Sequence, residues 1–144
     1  MRIFTPDAFW AMAAKLNVLP PWLDQAHVGL YTNDIALDQN TLLADLTEPT
    51  FAGYSRQLLD LTGSWVFQDS VGNFHTHYKH VGFEPTDDMD PLMLRGYFVA
   101  ALGTGANIKL VWAARFPEPM FVEGPLKGVI VEPDFVLGQA EMLD

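Results

Sequence analysis

Three histidines crowd one short stretch, with His75 and His77 in the run HTHYKH and His80 closing it. Side chains alternate along a strand, so His75 and His77 share a face and His80 falls on the other unless a bulge intervenes. Two imidazoles can begin a metal site, but a competent one needs three or four ligands. The fourth histidine, His27, is distant in sequence. Set among Phe74, Thr76 and Tyr78, the pair reads as a polar solvent face, and no metal is expected. A second cluster, Asp87, Asp88 and Asp90 in TDDMDP, offers the hard oxygen ligands of a calcium loop. It lacks the glycine and the terminal glutamate of an EF-hand, and Pro91 follows at once. The expected reading is an acidic surface loop.

The remaining inventory is thin. The serines are Ser55, Ser64 and Ser70, none within G-x-S-x-G, and cysteine is absent, so no activated nucleophile and no disulfide or thiolate site is expected. GTGAN holds two glycines but joins two expected strands, whereas a dinucleotide cradle sits between a strand and a helix. No catalytic residue and no cofactor is expected. Eighteen acids against eight bases give a formal charge of −10. That balance repels phosphate backbones and anionic membrane surfaces, so neither nucleic acid nor membrane is an expected partner. No apolar run approaches the ~20 residues of a bilayer span. Pro6 and Asp7 interrupt any signal-peptide pattern, which fits cytosolic synthesis.

These side chains need elements to position them. At 144 residues, with 49% hydrophobic and 18% charged residues, the chain suits one folded domain. Thr5-Pro6-Asp7 is a helix start, and Phe9, Met12, Ala13 and Leu16 recur at helical spacing until Pro20 and Pro21 stop them. Residues 1–22 are therefore expected as a short helix and arm, with Phe9, Trp10 and Trp22 as candidate interface residues. Residues 23–144 form the expected β domain. HVGLYTN reads as its first strand, Val28, Leu30 and Thr32 facing one way and Gly29 and Tyr31 the other. SWVF and FHTHYKHVGF make a hairpin across DSVGN, and LRGYFVAAL and IKLVWAARF make another across GTGAN. PEP is expected to end the second hairpin, and VIVEPDFVL supplies a last strand pair, kinked or edge-placed because Pro133 lacks a donor. Seven or eight short strands with turns between them predict an antiparallel β-sandwich or squat barrel. Trp65 and Trp112 belong to its core; otherwise the four tryptophans would offer a carbohydrate-binding platform.

VGLYTND followed by TLLADLTEPTFAGYSRQ resembles a family of small proteins encoded among the structural genes of tailed bacteriophages. The matching positions are Val28 to Asn33, Thr41 to Tyr54, Gly96 to Val99 and Leu110 to Phe116, and the likeness runs from residue 27 to 137. It implies a virion component: a capsid decoration or cement protein bound to the major capsid protein, or a module associated with the tail or a fibre. It brings no catalytic residues. A homo-oligomer is expected, because exposed strand edges must be covered. Leu43, Leu46, Phe51 and Tyr54 read as a clamp folding a short turn onto the sheet. Asp45, Thr47 and Glu48 are expected to close that turn by side-chain to backbone hydrogen bonds.

Overall fold

The protein is described by a computed structural model over residues 2–4, 26–59, 65–68, 74–78, 80–102 and 108–137. Its elements are strands: β1 (Arg2–Phe4), β2 (His27–Tyr31), β3 (Gln57–Leu58), β4 (Trp65–Gln68), β5 (Phe74–His77), β6 (Val81–Phe83), β7 (Leu92–Leu102), β8 (Ile108–Val122), β9 (Val129–Val131) and β10 (Asp134–Leu137), with one 3-10 turn at Leu43–Asp45. All pairing is antiparallel. A five-stranded sheet runs β1-β8-β7-β2-β3, a three-stranded sheet β10-β5-β4, and β6 pairs with β9 as a ribbon. The mainly β class and both hairpin pairings match expectation, with ten strands among the described residues, but the expected return strand from Phe74 to Phe83 breaks into β5 and β6, which lie in different sheets. The helix expected from Thr5 lies outside the described residues. Arg2–Phe4, expected in the arm, instead pair with Trp112–Ala114 and so belong to the large sheet.

Two further expectations are corrected. PEP does not end β8. Between the pairs Gly96↔Arg115 and Leu94↔Met120, the single residue Arg95 faces the four residues from Phe116 to Pro119, and pairing then resumes to Val122. Pro117 and Pro119 have no N–H to give the ladder, so the segment bulges while the strand continues. Nor do β9 and β10 pair with each other. β9 joins β6 and β10 joins β5, so the chain changes sheets at Glu132-Pro133, where proline withholds a donor.

The large sheet is covered on both faces, which explains why VGLY and YFVAA run apolar without alternation. On one face Val28, Leu30, Tyr97, Val99 and Trp112 pack with Val81, Phe83, Val129 and Val131 of the ribbon. Val111 is an extra residue between the pairs Val99↔Trp112 and Ala100↔Leu110. That bulge lets Val111 and Trp112 enter the same cluster. On the other face Tyr31, Phe98, Ala100, Leu110 and Ala113 meet Leu37 and Leu46 from the loop after β2.

Two glycines set the spacing of the second face. Gly29 is paired with Phe98, and Tyr31 with Gly96. A Cβ at Gly29 would lie 2.3 Å from the Phe98 ring, and one at Gly96 would lie 2.2 Å from the Ala114 carbonyl and 2.5 Å from the Tyr31 hydroxyl. Each aromatic ring thus occupies the space left by the glycine opposite.

Gly29→Ala and Gly96→Ala are both expected to destabilise by about 1–3 kcal/mol or more through overpacking. Gly96→Ala is the costlier, because a backbone carbonyl yields less readily than a ring. Urea midpoints of the two variants against wild type check the order.

Candidate functional site

The segment from Thr41 to Gln57 straddles the edge of the large sheet. Leu46 is buried on the second face with Leu43 half-buried beside it, whereas Phe51 and Tyr54 pack on the first. The four expected clamp residues therefore grip opposite sides of β2. The Phe51 ring meets Tyr54 edge-on at 5.4 Å, and Tyr54 stacks on Phe83 at 5.9 Å.

What lies between them is an edge cover. β3 pairs with β2 only at His27 and Val28. Beyond that, the Leu30 N–H donates to the Tyr54 hydroxyl at 3.1 Å and the Thr32 N–H to the Thr47 carbonyl at 2.8 Å. Two residues apart on a strand, these donors point to the same edge and would otherwise template another chain. Asp45 closes the 3-10 turn as expected, its carboxylate accepting from the Leu42 N–H at 2.8 Å. Thr47 contributes its backbone instead: its carbonyl accepts from Thr32, and its N–H donates to the Asn33 side chain at 2.8 Å. Glu48 differs from expectation more fully. Its carboxylate accepts from the Tyr54 hydroxyl at 2.8 Å and from Arg56 twice, at 3.0 and 2.8 Å. The Arg56 guanidinium in turn lies 5.4 Å from the centre of the Phe98 ring, within cation–π range.

Electrostatics follow this architecture. Burial acts to raise the Glu48 pKa, but hydrogen bonds from Arg56 and Tyr54 and the guanidinium charge outweigh it and hold the carboxyl below its usual range. Burial, and then the Glu48 partner, push Tyr54 up despite the opposing Leu30 contact. Tyr31 is pushed up to about 12 by burial, with Arg115 opposing and Asp34 adding to the rise. Arg115 pairs with Asp34 at 2.6 Å and donates to the Ile35 carbonyl at 3.4 Å, holding the loop that carries Ile35 and Leu37 over the second face. In each case the partner that shifts the group also fastens a segment to the sheet.

The remaining candidate residues fall elsewhere. Phe9, Trp10 and Trp22 lie outside the described residues. His75 and His77 sit at alternate positions of β5, paired with Val136 and Asp134 of β10. His80 meets Glu132 at 2.7 Å on an exposed surface. Asp87, Asp88 and Asp90 are exposed in the loop before β7. Among the described residues no group of three or more metal-ligating side chains converges, and no helix is long and apolar enough to cross a membrane. Trp112 is buried against Tyr78, their rings stacked at 5.9 Å, so it joins the core as expected.

Sequence reasoning missed an apolar groove on the β6–β9 ribbon. It encloses about 430 Å³ and is lined by Gly82, Phe83, Glu84, Leu126, Gly128, Val129 and Ile130. Val129 and Val131 point into the core, so Ile130, 64% exposed, points out, across from Gly82. Leu126 is 93% exposed with φ 65°. The Lys127 N–H donates to the Gly124 carbonyl at 3.1 Å, and with Pro125 second and Leu126 third the turn has the form of type II, which favours glycine or asparagine at that third place. The Leu126 N–H donates to Glu84, fixing the turn to the end of β6. The signal was an apolar residue inside the turn GPLKG, together with the alternation of VIV.

No family model, curated protein sequence or solved structure matches the chain.

Tyr54→Phe removes the acceptor of a strand amide and is expected to cost about 1–3 kcal/mol in urea unfolding. Because the folded pKa of Glu48 is depressed below 4.5, its contribution is present above the unfolded pKa and lost as pH falls through the folded one. The stability gap between wild type and Glu48→Gln should therefore be full at neutral pH and close below about pH 4.5. A constant gap down to strongly acidic pH would contradict the assigned network. Leu126→Asn should leave stability unchanged or raise it by up to about 1 kcal/mol, since asparagine tolerates the left-handed region better than leucine.

Proposed function

We propose that the chain is a non-enzymatic structural protein of a tailed-bacteriophage particle, a capsid decoration or cement protein that binds the outer shell. One observation carries this reading. The segments behind the resemblance, VGLY, LADLTEPTFAGY and GYFV, are taken up in packing one sheet and sealing its edge. Gly29 with Phe98, Gly96 with Tyr31, and Tyr54 with Glu48 and Arg56 account for their most distinctive residues as architecture. Such motifs specify a rigid shape, which is what a particle component repeated in many copies contributes.

The packing of the large sheet under the β6–β9 ribbon supports reading the domain as a β-sandwich rather than a barrel. A charge of −10 favours solubility at the high local concentration of a particle surface. The partners in this reading are the major capsid protein and further copies of the chain. Attachment to a tail or fibre uses the same chemistry and differs in copy number. A carbohydrate-binding sandwich is the second reading, in which the buried Trp112 would take no part in the platform.

Mass spectrometry of purified particles of the phage that encodes this chain is expected to detect it among the virion proteins. Abundance near that of the major capsid protein would favour shell decoration, and a few copies per particle would favour the tail. Absence from particles would remove the proposal.

A further inference from the structure

The groove on the β6–β9 ribbon and the acidic loop singled out in the sequence turn out to be neighbours. The Met89 N–H donates to the Glu123 carbonyl at 3.2 Å. Asp88 packs so closely on Gly124 that a Cβ there would lie 3.1 Å from its carboxylate oxygen. The loop from Glu84 to Asp90 is thereby strapped to the turn that carries Leu126. The apolar groove is lined at one end by Glu84, and Asp88 stands against Gly124 in the turn that carries Leu126. The nearby cation of that turn, Lys127, is paired with Glu123 at 3.0 Å.

We infer that this groove docks an extended segment of a partner protein, placing an apolar side chain over Gly82 and a lysine or arginine against Glu84 and Asp88. The inference rests on reading the chain as an attachment protein, and it names the attachment site. The floor is shaped for such a side chain: a Cβ at Gly82 would meet nothing within 4 Å, and Leu126 and Ile130 form the rim. Leu126 stands in a backbone conformation that leucine adopts only under strain, while its side chain contributes little to the core at 93% exposure. Strain held at an exposed apolar residue points to a contact made outside the domain. Charge selects among occupants. A second copy of this chain would bring another −10 and the same acidic border, whereas a basic and apolar segment is complementary in both respects. An extended partner can also add main-chain hydrogen bonds along a strand to its side-chain contacts.

The test titrates the full chain with a short capped peptide of alternating lysine and leucine, followed by backbone amide NMR and calorimetry. Shifts are expected to concentrate at residues 82–84, 87–90 and 124–130. Gly82→Leu, which fills the floor without altering charge, is expected to weaken binding about tenfold. Leu126→Asp separates the groove from simple charge attraction. Added negative charge would tighten a non-specific complex, but loss of the apolar rim weakens a docked one. Equal binding of a lysine–serine peptide, shifts scattered elsewhere, or tighter binding by Leu126→Asp would each overturn the inference. So would a concentration-dependent dimer in sedimentation that Leu126→Asp abolishes, because the groove would then belong to a second copy. In particles, wild type incorporated and Gly82→Leu excluded is the expected pattern. Equal incorporation of both would sink the groove while leaving the virion role standing. Absence of wild type from particles with peptide binding intact would sink the virion role alone.

Discussion

Phe98 lies across Gly29 and Tyr31 lies against Gly96, and neither contact survives a methyl group on the glycine it covers. The two contacts bring large rings flat onto neighbouring strands, so the second face of the sheet is filled close to the backbone. A face filled that way is apolar and must be covered. Leu37 and Leu46 cover it, which obliges the chain after β2 to fold back across the sheet rather than lead directly into the next strand. Having crossed, it must pass around the edge of β2 to reach β3.

At that edge the contacts form a closed circuit. Gly29 admits Phe98, Phe98 supports Arg56, Arg56 holds Glu48, Glu48 accepts from Tyr54, and Tyr54 receives the N–H of Leu30, the residue next to Gly29. Each member is positioned by the two beside it. The half-buried ion pair would be worth little as an isolated surface bridge. Here it orients a hydroxyl that satisfies a strand amide, and leaving that amide bare would be the larger cost.

Both hairpins were legible in the sequence, because β-branched and aromatic runs on either side of glycine-bearing turns carry their own signal. Trp112 was legible as core for the same reason. The circuit around β2 was not. Glu48 looked like a turn-closing carboxylate because its true partners, Tyr54 and Arg56, are identified only when the backbone doubles back at Phe51. The bulge at Phe116–Pro119 misled in a related way. Two prolines locally forbid ladder bonds, yet long-range pairing of Met120–Val122 with Leu92–Leu94 carries the strand through. Local chemistry was read correctly there and was overridden by register. The groove was missed because Gly82 comes to face Ile130 and Leu126 only when β6 pairs with β9.

The division of labour between the two parts of the core has a consequence for where the molecule can meet others. The large sheet has its first face under the ribbon, its second face under the loop after β2, and part of its edge under Tyr54 and Thr47. The large hydrophobics it leaves exposed, Leu58, Ile108 and Phe121, stand singly on β3 and towards the two ends of β8. The ribbon is different: Val81, Phe83, Val129 and Val131 are spent inward, while Gly82 and Ile130 alternate outward by the geometry of a strand. A two-stranded element packed on one face necessarily presents the other, and here that other face carries an exposed isoleucine beside a glycine-floored space. On the smaller element, Ile130 of β9 and Leu126 in the turn before it instead border one groove. The same loop that ends at β7 adds the acidic border, so shape and charge converge on one side of the ribbon.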